Sequence, residues 1–322
     1  MATPFLIGAG AGLVSAALFA SAATATALAG ILFYLAPLPI CLAGVGWGWM
    51  AAVIATLAGT VVVAGVLGLA AGAIFAGAVA LPMAVLCYLL LLSRPAVTAE
   101  GQTSAALEWY PIGRLVGWAA IIAGALAGTM VLTLGYDAES YRDAIKELLQ
   151  NSALKELDRD GTLINESTIG SLSAVLARTL PAAFAIVWQS IALFNLWLAG
   201  VIVQASGRAL RPWPKLDAIE LPNAFFLAFT GSLLASFLPG LAGLLATGLA
   251  GALFFAYVLQ GLAVLHAFSR GMPFRGLLLA AVYVGILVLG WVAVAVAILG
   301  LSEPMLRLRD RAATRGQPPT PD

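Results

Sequence analysis

Residues 33–49 read FYLAPLPICLAGVGWGW and lie inside a run of 93 residues without Asp, Glu, Lys or Arg, because the first charged side chain is Arg94. A helix crosses the hydrocarbon core of a bilayer with roughly 20 apolar residues, so this run is long enough for about four crossings. Lipid offers no hydrogen-bond partners to a bare backbone, and the run lacks the alternation of a barrel strand. We therefore expect residues 1–93 to form a charge-free four-helix transmembrane unit.

The composition of the whole chain places it in a membrane. Hydrophobic residues make up 62% and charged residues 10% of the 322 positions, whereas soluble domains carry about 25% charged residues. The net charge of +1 argues against a nucleic-acid-binding face. The two cysteines, Cys41 and Cys87, lie in apolar runs and are interpreted as packing residues rather than metal ligands. No metal and no cofactor are expected.

The apolar runs predict an all-α fold, a polytopic transmembrane helix bundle with eight or nine spans. The count is open because the first four runs have weak boundaries between them. The candidate spans lie near residues 4–27, 29–46, 48–70, 72–92, 114–135, 177–204, 221–239, 241–267 and 276–300.

Four further segments follow the unit 1–93. Short loops rich in Lys and Arg face the cytoplasm, but the loops 93–114, 205–220 and 268–275 carry seven such residues against nine in 136–178 and the tail, so the count alone does not decide the orientation. We expect the three short loops on the cytoplasmic side of a bacterial inner membrane, because 136–178 is long and carries eight acidic against five basic residues. The Arg-rich tail would share that side only if one of the last three candidates failed to cross. The predicted segments are a cytoplasmic loop and fifth span (94–135), an extracytoplasmic amphipathic segment (136–176), the C-terminal transmembrane helices (177–302) and an Arg-rich, then disordered tail (303–322).

The segment YDAESYRDAIKELLQ, residues 136–150, is the exception to the apolar pattern. Tyr141, Ile145 and Leu148 recur at helical spacing on one stripe, and charged residues occupy the other positions. This pattern predicts an amphipathic helix that lies flat on the membrane surface or caps the bundle.

The opening stretch predicts a broken helix. Pro37 and Pro39 each remove a backbone donor and disfavour helical geometry in the preceding residue, so the helix should end around residues 35–39. Gly44 permits close backbone approach, and Trp47 favours an interfacial depth. Two interpretations stay open: a broken helix that lines a small-molecule pocket, as in transporters, or an ordinary interfacial loop anchored by tryptophans.

Polar side chains inside the candidate spans are the other functional indications, because each must find a partner or water. Gln189 and Asn195 lie in the sixth candidate and Gln260 in the eighth. The nine candidates contain no Asp or Glu, which argues against a carboxylate-driven proton pump. No catalytic triad, phosphate-binding loop or metal-ligand spacing is visible, so no catalytic residue and no enzymatic activity are expected.

Glycines at helical spacing predict close packing of helices rather than a nucleotide site. They include GAGAG at residues 8–12 and the pair Gly124 and Gly128.

Several short motifs resemble the YybS-like family of uncharacterised multi-pass bacterial membrane proteins. They are FYLAPLP in the opening stretch, ELP at 220–222, LQGLAVLH at 259–266 and LGLSEPMLRLRDR at 299–311. Glu303 stands near the acidic position of that family's C-terminal motif, and Met305 replaces its aromatic residue. The N-terminal helices are similar in pattern to the substrate-binding subunits of energy-coupling-factor vitamin transporters, which implies a small-molecule pocket built from the first helices.

These indications favour a substrate-binding, transporter-like membrane protein for a neutral or amphipathic small molecule. The alternative is a membrane scaffold or biogenesis factor that recruits partner helices. The expected partners are the lipid bilayer, a small-molecule ligand, and a membrane-protein partner or a second copy of the chain, with no nucleic acid. The predicted substrate-binding residues are Pro37, Pro39, Gly44 and Trp47, which would shape the pocket, and Gln189, Asn195 and Gln260, which would supply hydrogen bonds.

Overall fold

The computed structural model describes residues 2–24, 26–97, 103–151 and 166–306. The predicted tail beyond residue 306 and part of the predicted segment 136–176 lie outside these ranges. The helices are α1 (Ala2–Ala20), a 3-10 turn (Ser21–Thr24), α2 (Ala27–Tyr34), α3 (Leu38–Trp47), α4 (Trp49–Leu67), α5 (Leu69–Ile74), a π-helical turn (Phe75–Ala80), α6 (Leu81–Leu91), α7 (Ile112–Leu134), α8 (Ala138–Gln150), α9 (Glu166–Ala205), a 3-10 turn (Leu216–Ala218), α10 (Asn223–Ala235), α11 (Gly240–Phe268), α12 (Arg275–Leu289) and α13 (Trp291–Leu306).

The chain divides into two compact units. The first unit comprises Met1–Ala119 and Trp188–Lys215, and the second comprises Ala120–Val187 and Leu216–Asp322. Helices α7 and α9 each contribute one part to the first unit and the other part to the second.

Seven helices within the described ranges are long and apolar enough to cross a membrane. They include Ala27–Trp47 and Leu69–Leu91, each counted as one span despite the interruptions within it. The all-α polytopic bundle is therefore confirmed, and the count of eight or nine spans stays a prediction.

In the first unit, helix α1 packs closely against α4 through glycines of α1. A Cβ atom on Gly8 would lie 2.7 Å from the carbonyl oxygen of Ala51, and one on Gly12 would clash with the carbonyl oxygen of Ala55. Gly10, between them, has no neighbour within 4 Å of its Cβ position. The packing role predicted for GAGAG is therefore confirmed for two of its three glycines, those that face α4.

The candidate span 221–239 contains only the 13-residue helix α10, yet the segment runs along most of α11. The backbone N–H of Leu221 donates to Oε1 of Gln260 over 2.7 Å, and the carbonyl of Leu238 lies against Gly243. Gln260 and Gly243 are separated along α11 by about 26 Å at 1.5 Å per residue. The segment thus approaches the roughly 30 Å thickness of a hydrocarbon core.

Two of the loops predicted to be cytoplasmic, 205–220 and 268–275, meet at one end of α11. Arg270, just beyond that helix, forms a salt bridge with Asp217. The turn at Leu238–Gly240 lies at the opposite end, beside α8 and the start of α9. These contacts bring together two of the three loops expected on the cytoplasmic side, and the membrane side itself stays a prediction.

Residues 276–300 do not form one helix, contrary to the sequence prediction. Gly290 ends α12 with a φ of 61°, a left-handed conformation that glycine adopts at little cost. Helix α13 then packs antiparallel to α11: Gly261 faces the carbonyl of Val296, and Gly300 faces the carbonyl of Tyr257. Hydropathy runs unbroken across Gly290, so composition alone did not reveal the turn.

A short β-hairpin follows α6, in a segment for which the sequence suggested only a loop. Strands β1 (Ser93–Val97) and β2 (Thr103–Trp109) pair antiparallel, with Arg94 opposite Glu108. Helix α7 begins at Ile112, immediately after Pro111, as is common for proline at a helix start.

Candidate functional site

The predicted break in the opening stretch is confirmed. Helix α2 ends at Tyr34, and α3 begins at Leu38 with Pro37 as its N-cap residue. Proline lacks a backbone N–H, so the carbonyls of Phe33 and Leu35 lose their usual partners four residues on. The N–H of Ala36 bonds the Phe33 carbonyl over 3.1 Å, and that of Leu38 bonds the Leu35 carbonyl over 3.0 Å.

Side chains from two other helices bind the remaining carbonyls of the break. Nδ2 of Asn195, on α9, donates to the carbonyl of Tyr34 over 2.8 Å. The hydroxyl of Ser15, on α1, donates to the carbonyl of Ala36 over 2.6 Å. Ser15 and Asn195 are both fully buried. The open backbone is thus held by protein groups, which is what irregular backbone at membrane depth requires.

The candidate span Leu69–Leu91 is also interrupted, and a side chain of another helix again bonds the carbonyl that is left without its usual partner. Pro82 cannot donate to the carbonyl of Ala78, and the chain is π-helical over Phe75–Ala80. The indole N–H of Trp188 donates to the carbonyl of Ala78 over 2.7 Å. Trp188 was not among the predicted site residues, although Pro82 inside an apolar run marks a carbonyl that needs an outside donor.

The part of α9 that belongs to the first unit therefore carries three polar contacts within that unit. Besides Trp188 and Asn195, Nε2 of Gln189 points to the carbonyl of Val116 on α7 over 3.4 Å. All three partners are carbonyl oxygens, so the donating nitrogen of each side chain must face them. These contacts tie α9 to α2, to the π-helical turn and to α7.

The two amides retain unused acceptors. Oδ1 of Asn195 and Oε1 of Gln189 are buried and have no hydrogen-bond partner among the described residues. The indole N–H of Trp47 is likewise buried and unpaired within the described part of the chain, and the guanidinium of Arg208 lies 5.1 Å from the centroid of its ring.

The remaining predicted residues of the first unit are packed. Pro37, Pro39 and Gly44 are buried, and a Cβ atom on Gly44 would lie 2.8 Å from Sγ of Cys87 and 3.0 Å from Cβ of Ala52. Gly44 thus permits close contact of α3 with α4 and α6, and its Cβ position does not face open space.

Gln260, by contrast, belongs to the second unit. Its Oε1 accepts from the backbone N–H of Leu221, and its Nε2 donates to the carbonyl of Gly300 over 2.7 Å. The side chain is fully buried with both ends of its amide bonded. It therefore cross-links the approach to α10, helix α11 and helix α13.

One buried acid lies beyond the end of the last candidate span. Glu303 is 6% exposed and lies in α13, one turn beyond Gly300, in a helix that runs along α11. The nine candidate spans contain no Asp or Glu, but α13 extends past residue 300, where the last candidate ended, and so includes Glu303.

The hairpin forms a small cavity of its own, of about 200 Å³, lined among others by Arg94, Glu108, Trp109 and Arg114. Arg94 and Glu108 form an exposed ion pair of 2.8 Å. The hydrogen bond and charge of Arg94 hold the pKa of Glu108 below its usual value. Exposed pairs of this kind contribute little to stability.

Within the described ranges, no group of three or more His, Cys, Asp or Glu side chains is placed to hold a metal ion. Neither a curated protein nor a solved structure shows detectable similarity to the chain. A family model described as "Predicted membrane protein (DUF2232)" matches residues 13–302. The polytopic helical chain, with its interrupted spans held by side chains of α9 and α1, therefore belongs to the DUF2232 family of membrane proteins.

Proposed function

We propose that the first unit binds a neutral or amphipathic small molecule, as in a transporter-like, substrate-binding protein of the bacterial inner membrane. The observation that supports this most strongly is the pair of unused amide oxygens on Asn195 and Gln189, buried without a partner among the described residues. An unpaired buried polar atom costs about 1–3 kcal/mol. A ligand that donates hydrogen bonds to these oxygens would recover that free energy.

The chemistry of these groups defines the ligand class. Both unused groups are acceptors, so the ligand should carry N–H or O–H donors. Residues 1–93 contain no charged side chain, so a ligand beside α1 to α6 should be uncharged or should keep its charge outside them. Polar ring compounds of the vitamin or nucleobase type meet both conditions.

The interrupted helix supports the same proposal. Transporters place broken helices at their substrate sites, where backbone groups and nearby side chains contact the ligand. Asn195 both holds the break at Tyr34 and carries one of the unused acceptors. The resemblance to substrate-binding subunits of energy-coupling-factor transporters stays a prediction, and the proposal assigns no catalytic activity.

A thermal-shift screen of the detergent-purified protein against vitamins, nucleobases and isoprenoid precursors tests this function. A ligand that binds only the folded state raises the Tm. We expect at least one donor-bearing ring compound to do so, and Asn195→Ala to abolish the ligand-dependent shift.

Ser15→Ala is the matched control, because it removes the other side-chain bond to the break and leaves the Asn195 oxygen in place. Its baseline Tm should fall while the ligand-dependent shift persists. If no compound in the panel raises the Tm and other membrane proteins co-purify with the chain, the result would contradict the proposal and favour a scaffold.

A further inference from the structure

A cavity of about 460 Å³ lies in the second unit, between α8, the first turns of α9 and the start of α11. Its lining includes Arg142 from α8 and Arg178 from α9, and no Asp or Glu occurs among its described lining residues. No acid in the described ranges forms a salt bridge with either guanidinium. The described lining of the cavity therefore carries an excess of positive charge.

The N-terminus of α11 opens into the same cavity. This 29-residue helix begins at Gly240 with Pro239 as its N-cap residue, and no side chain among the described residues caps its first N–H groups. Gly240 has a φ of 76°, and its Cβ position has no neighbour within 4 Å. The uncapped N–H groups and the positive end of the helix dipole favour an anion at this position.

Tyr141 lies against the same cavity. Its side chain is fully buried, and it packs in a cluster with Leu241 and Leu244 of α11. It also lines the cavity, and its hydroxyl has no hydrogen-bond partner in the described part of the chain. Burial raises the pKa of Tyr141, so the hydroxyl keeps its proton at neutral pH and can donate.

We propose that this cavity binds the phosphoryl group of a phosphate-bearing ligand. Two guanidinium groups and the N–H groups of a helix N-terminus present donors at this cavity, and the unpaired phenol of Tyr141 lies against it. A phosphate monoester presents acceptor oxygens and a negative charge. The match is chemical and geometric, since Arg142, Arg178, Tyr141 and Gly240 approach one space from three different helices.

The volume and the walls indicate that the phosphoryl group is attached to an organic part. Pockets for organic ligands begin at about 300 Å³, and this cavity exceeds that volume. Leu238 and Leu244 form an apolar part of its lining. A phosphate-bearing lipid would place its headgroup at the arginines and its chain along these leucines, whereas free phosphate would use the arginines alone.

This site is independent of the ligand proposed for the first unit. It lies among residues of the second unit, and it selects a charged ligand rather than a neutral one. Asn195→Ala should therefore leave binding at this site unchanged.

The proposal is tested by measuring the binding of three probes to the purified full-length protein in an uncharged detergent. Isothermal titration calorimetry gives the affinity for each probe. The probes are inorganic phosphate, dioctanoyl phosphatidic acid and dioctanoylglycerol, which lacks the phosphate. We expect phosphatidic acid to bind at least about tenfold more tightly than dioctanoylglycerol, and each of Arg142→Gln and Arg178→Gln to weaken it by at least about tenfold. Tyr141→Phe should weaken it by roughly threefold.

Lys146→Gln is the matched control on α8, since it removes the same charge from a residue that does not line the cavity. The affinity of the Lys146→Gln variant for phosphatidic acid should change by less than about twofold. Arg178→Lys distinguishes binding from folding: it keeps the charge and should recover part of the affinity. Tighter binding of inorganic phosphate than of phosphatidic acid would show that the phosphoryl group bound in this cavity is that of free phosphate rather than of a lipid.

Two outcomes would overturn the proposal. One is equal affinity for phosphatidic acid and dioctanoylglycerol with no binding of inorganic phosphate. The other is an equal loss of affinity in Lys146→Gln and in the two arginine variants, which would indicate a diffuse electrostatic effect.

Discussion

The side-chain nitrogen of Asn195 donates to the carbonyl of Tyr34 across 161 residues of sequence. The acceptor is free because Leu38, which would bond it in a continuous helix, bonds Leu35 instead. One polar side chain on α9 thus stabilises an interruption that two prolines impose on a distant helix.

Replacing Asn195 by Ala should lower the free energy of unfolding by about 1–2 kcal/mol, because the Tyr34 carbonyl loses its buried donor. Denaturant unfolding of the purified protein followed by circular dichroism measures this. Thr129→Ala is the control, since the Thr129 hydroxyl bonds a carbonyl of its own helix. An Asn195→Ala variant as stable as Thr129→Ala would contradict the assigned contact.

Gln260 should prove structural. Gln260→Leu leaves the Leu221 N–H and the Gly300 carbonyl without their shared partner, so we expect a loss of about 2–3 kcal/mol in the free energy of unfolding. Gln204→Leu changes an exposed glutamine by the same atoms and should change stability by less than about 0.5 kcal/mol. A small effect of Gln260→Leu, accompanied by loss of a ligand-dependent Tm shift, would instead assign Gln260 to a binding site.

The glycines of α1 allow a matched test of packing. Gly12→Ala places a methyl group against the Ala55 carbonyl of α4, so it should destabilise the first unit by about 1–3 kcal/mol. Gly10→Ala adds the same atoms where no neighbour lies within 4 Å and should be neutral or slightly stabilising. Thermal unfolding of both variants decides the matter, and equal Tm values would show that α1 and α4 do not meet through Gly12.

The start of α8 should respond to acid. The backbone N–H of Ser140 donates to the Asp137 carboxylate, and this bond holds the pKa of Asp137 below its usual value of 3.8. A depressed folded pKa means that the stabilisation is present above pH 3.8 and is lost as the pH falls through the folded pKa. Amide hydrogen exchange at Ser140, corrected for its intrinsic pH dependence, should therefore lose protection in that range, and Asp137→Asn should reduce the pH dependence.

The grouping of loops at the two ends of α11 predicts which positions share a membrane side. Glu220→Cys and Met272→Cys should react with a membrane-impermeant maleimide from one side, and Asp143→Cys from the other. These positions are exposed, and both native cysteines are buried, so the native residues need not be replaced. Labelling of Asp143→Cys and Glu220→Cys from the same side would contradict the grouping.

Local signals in the chain predicted much of the fold. The absence of charge before Arg94 indicated the membrane, and Pro37 and Pro39 located the break within one or two residues. Both rest on nearest-neighbour chemistry, because a proline removes its own donor wherever the chain folds. The sequence did not predict the division of residues 276–300 at Gly290, because apolar residues flank this glycine on both sides and a glycine by itself does not require a turn.

The candidate site was predictable in its residue types but not in its grouping. Gln189 and Gln260 are both buried glutamines in apolar helices. Gln189 lies in the first unit with an oxygen unpaired among the described residues, whereas Gln260 lies in the second unit with both ends of its amide bonded. The cavity with Arg142 and Arg178 had no sequence signal, because its members come from three helices and the sequence does not show that those helices meet.

The sequence by itself determined that this is a helical membrane protein with an interrupted span near its start, since hydropathy and proline chemistry act locally. Only the tertiary structure decided that Asn195 and Ser15 support the interruption, that Gln260 is a cross-link and that two arginines face the uncapped start of α11. Each of these depends on which carbonyls and which helix ends are brought together. In a chain whose spans are nearly all apolar, many pairings satisfy the same hydropathy, and the few buried polar groups select among them.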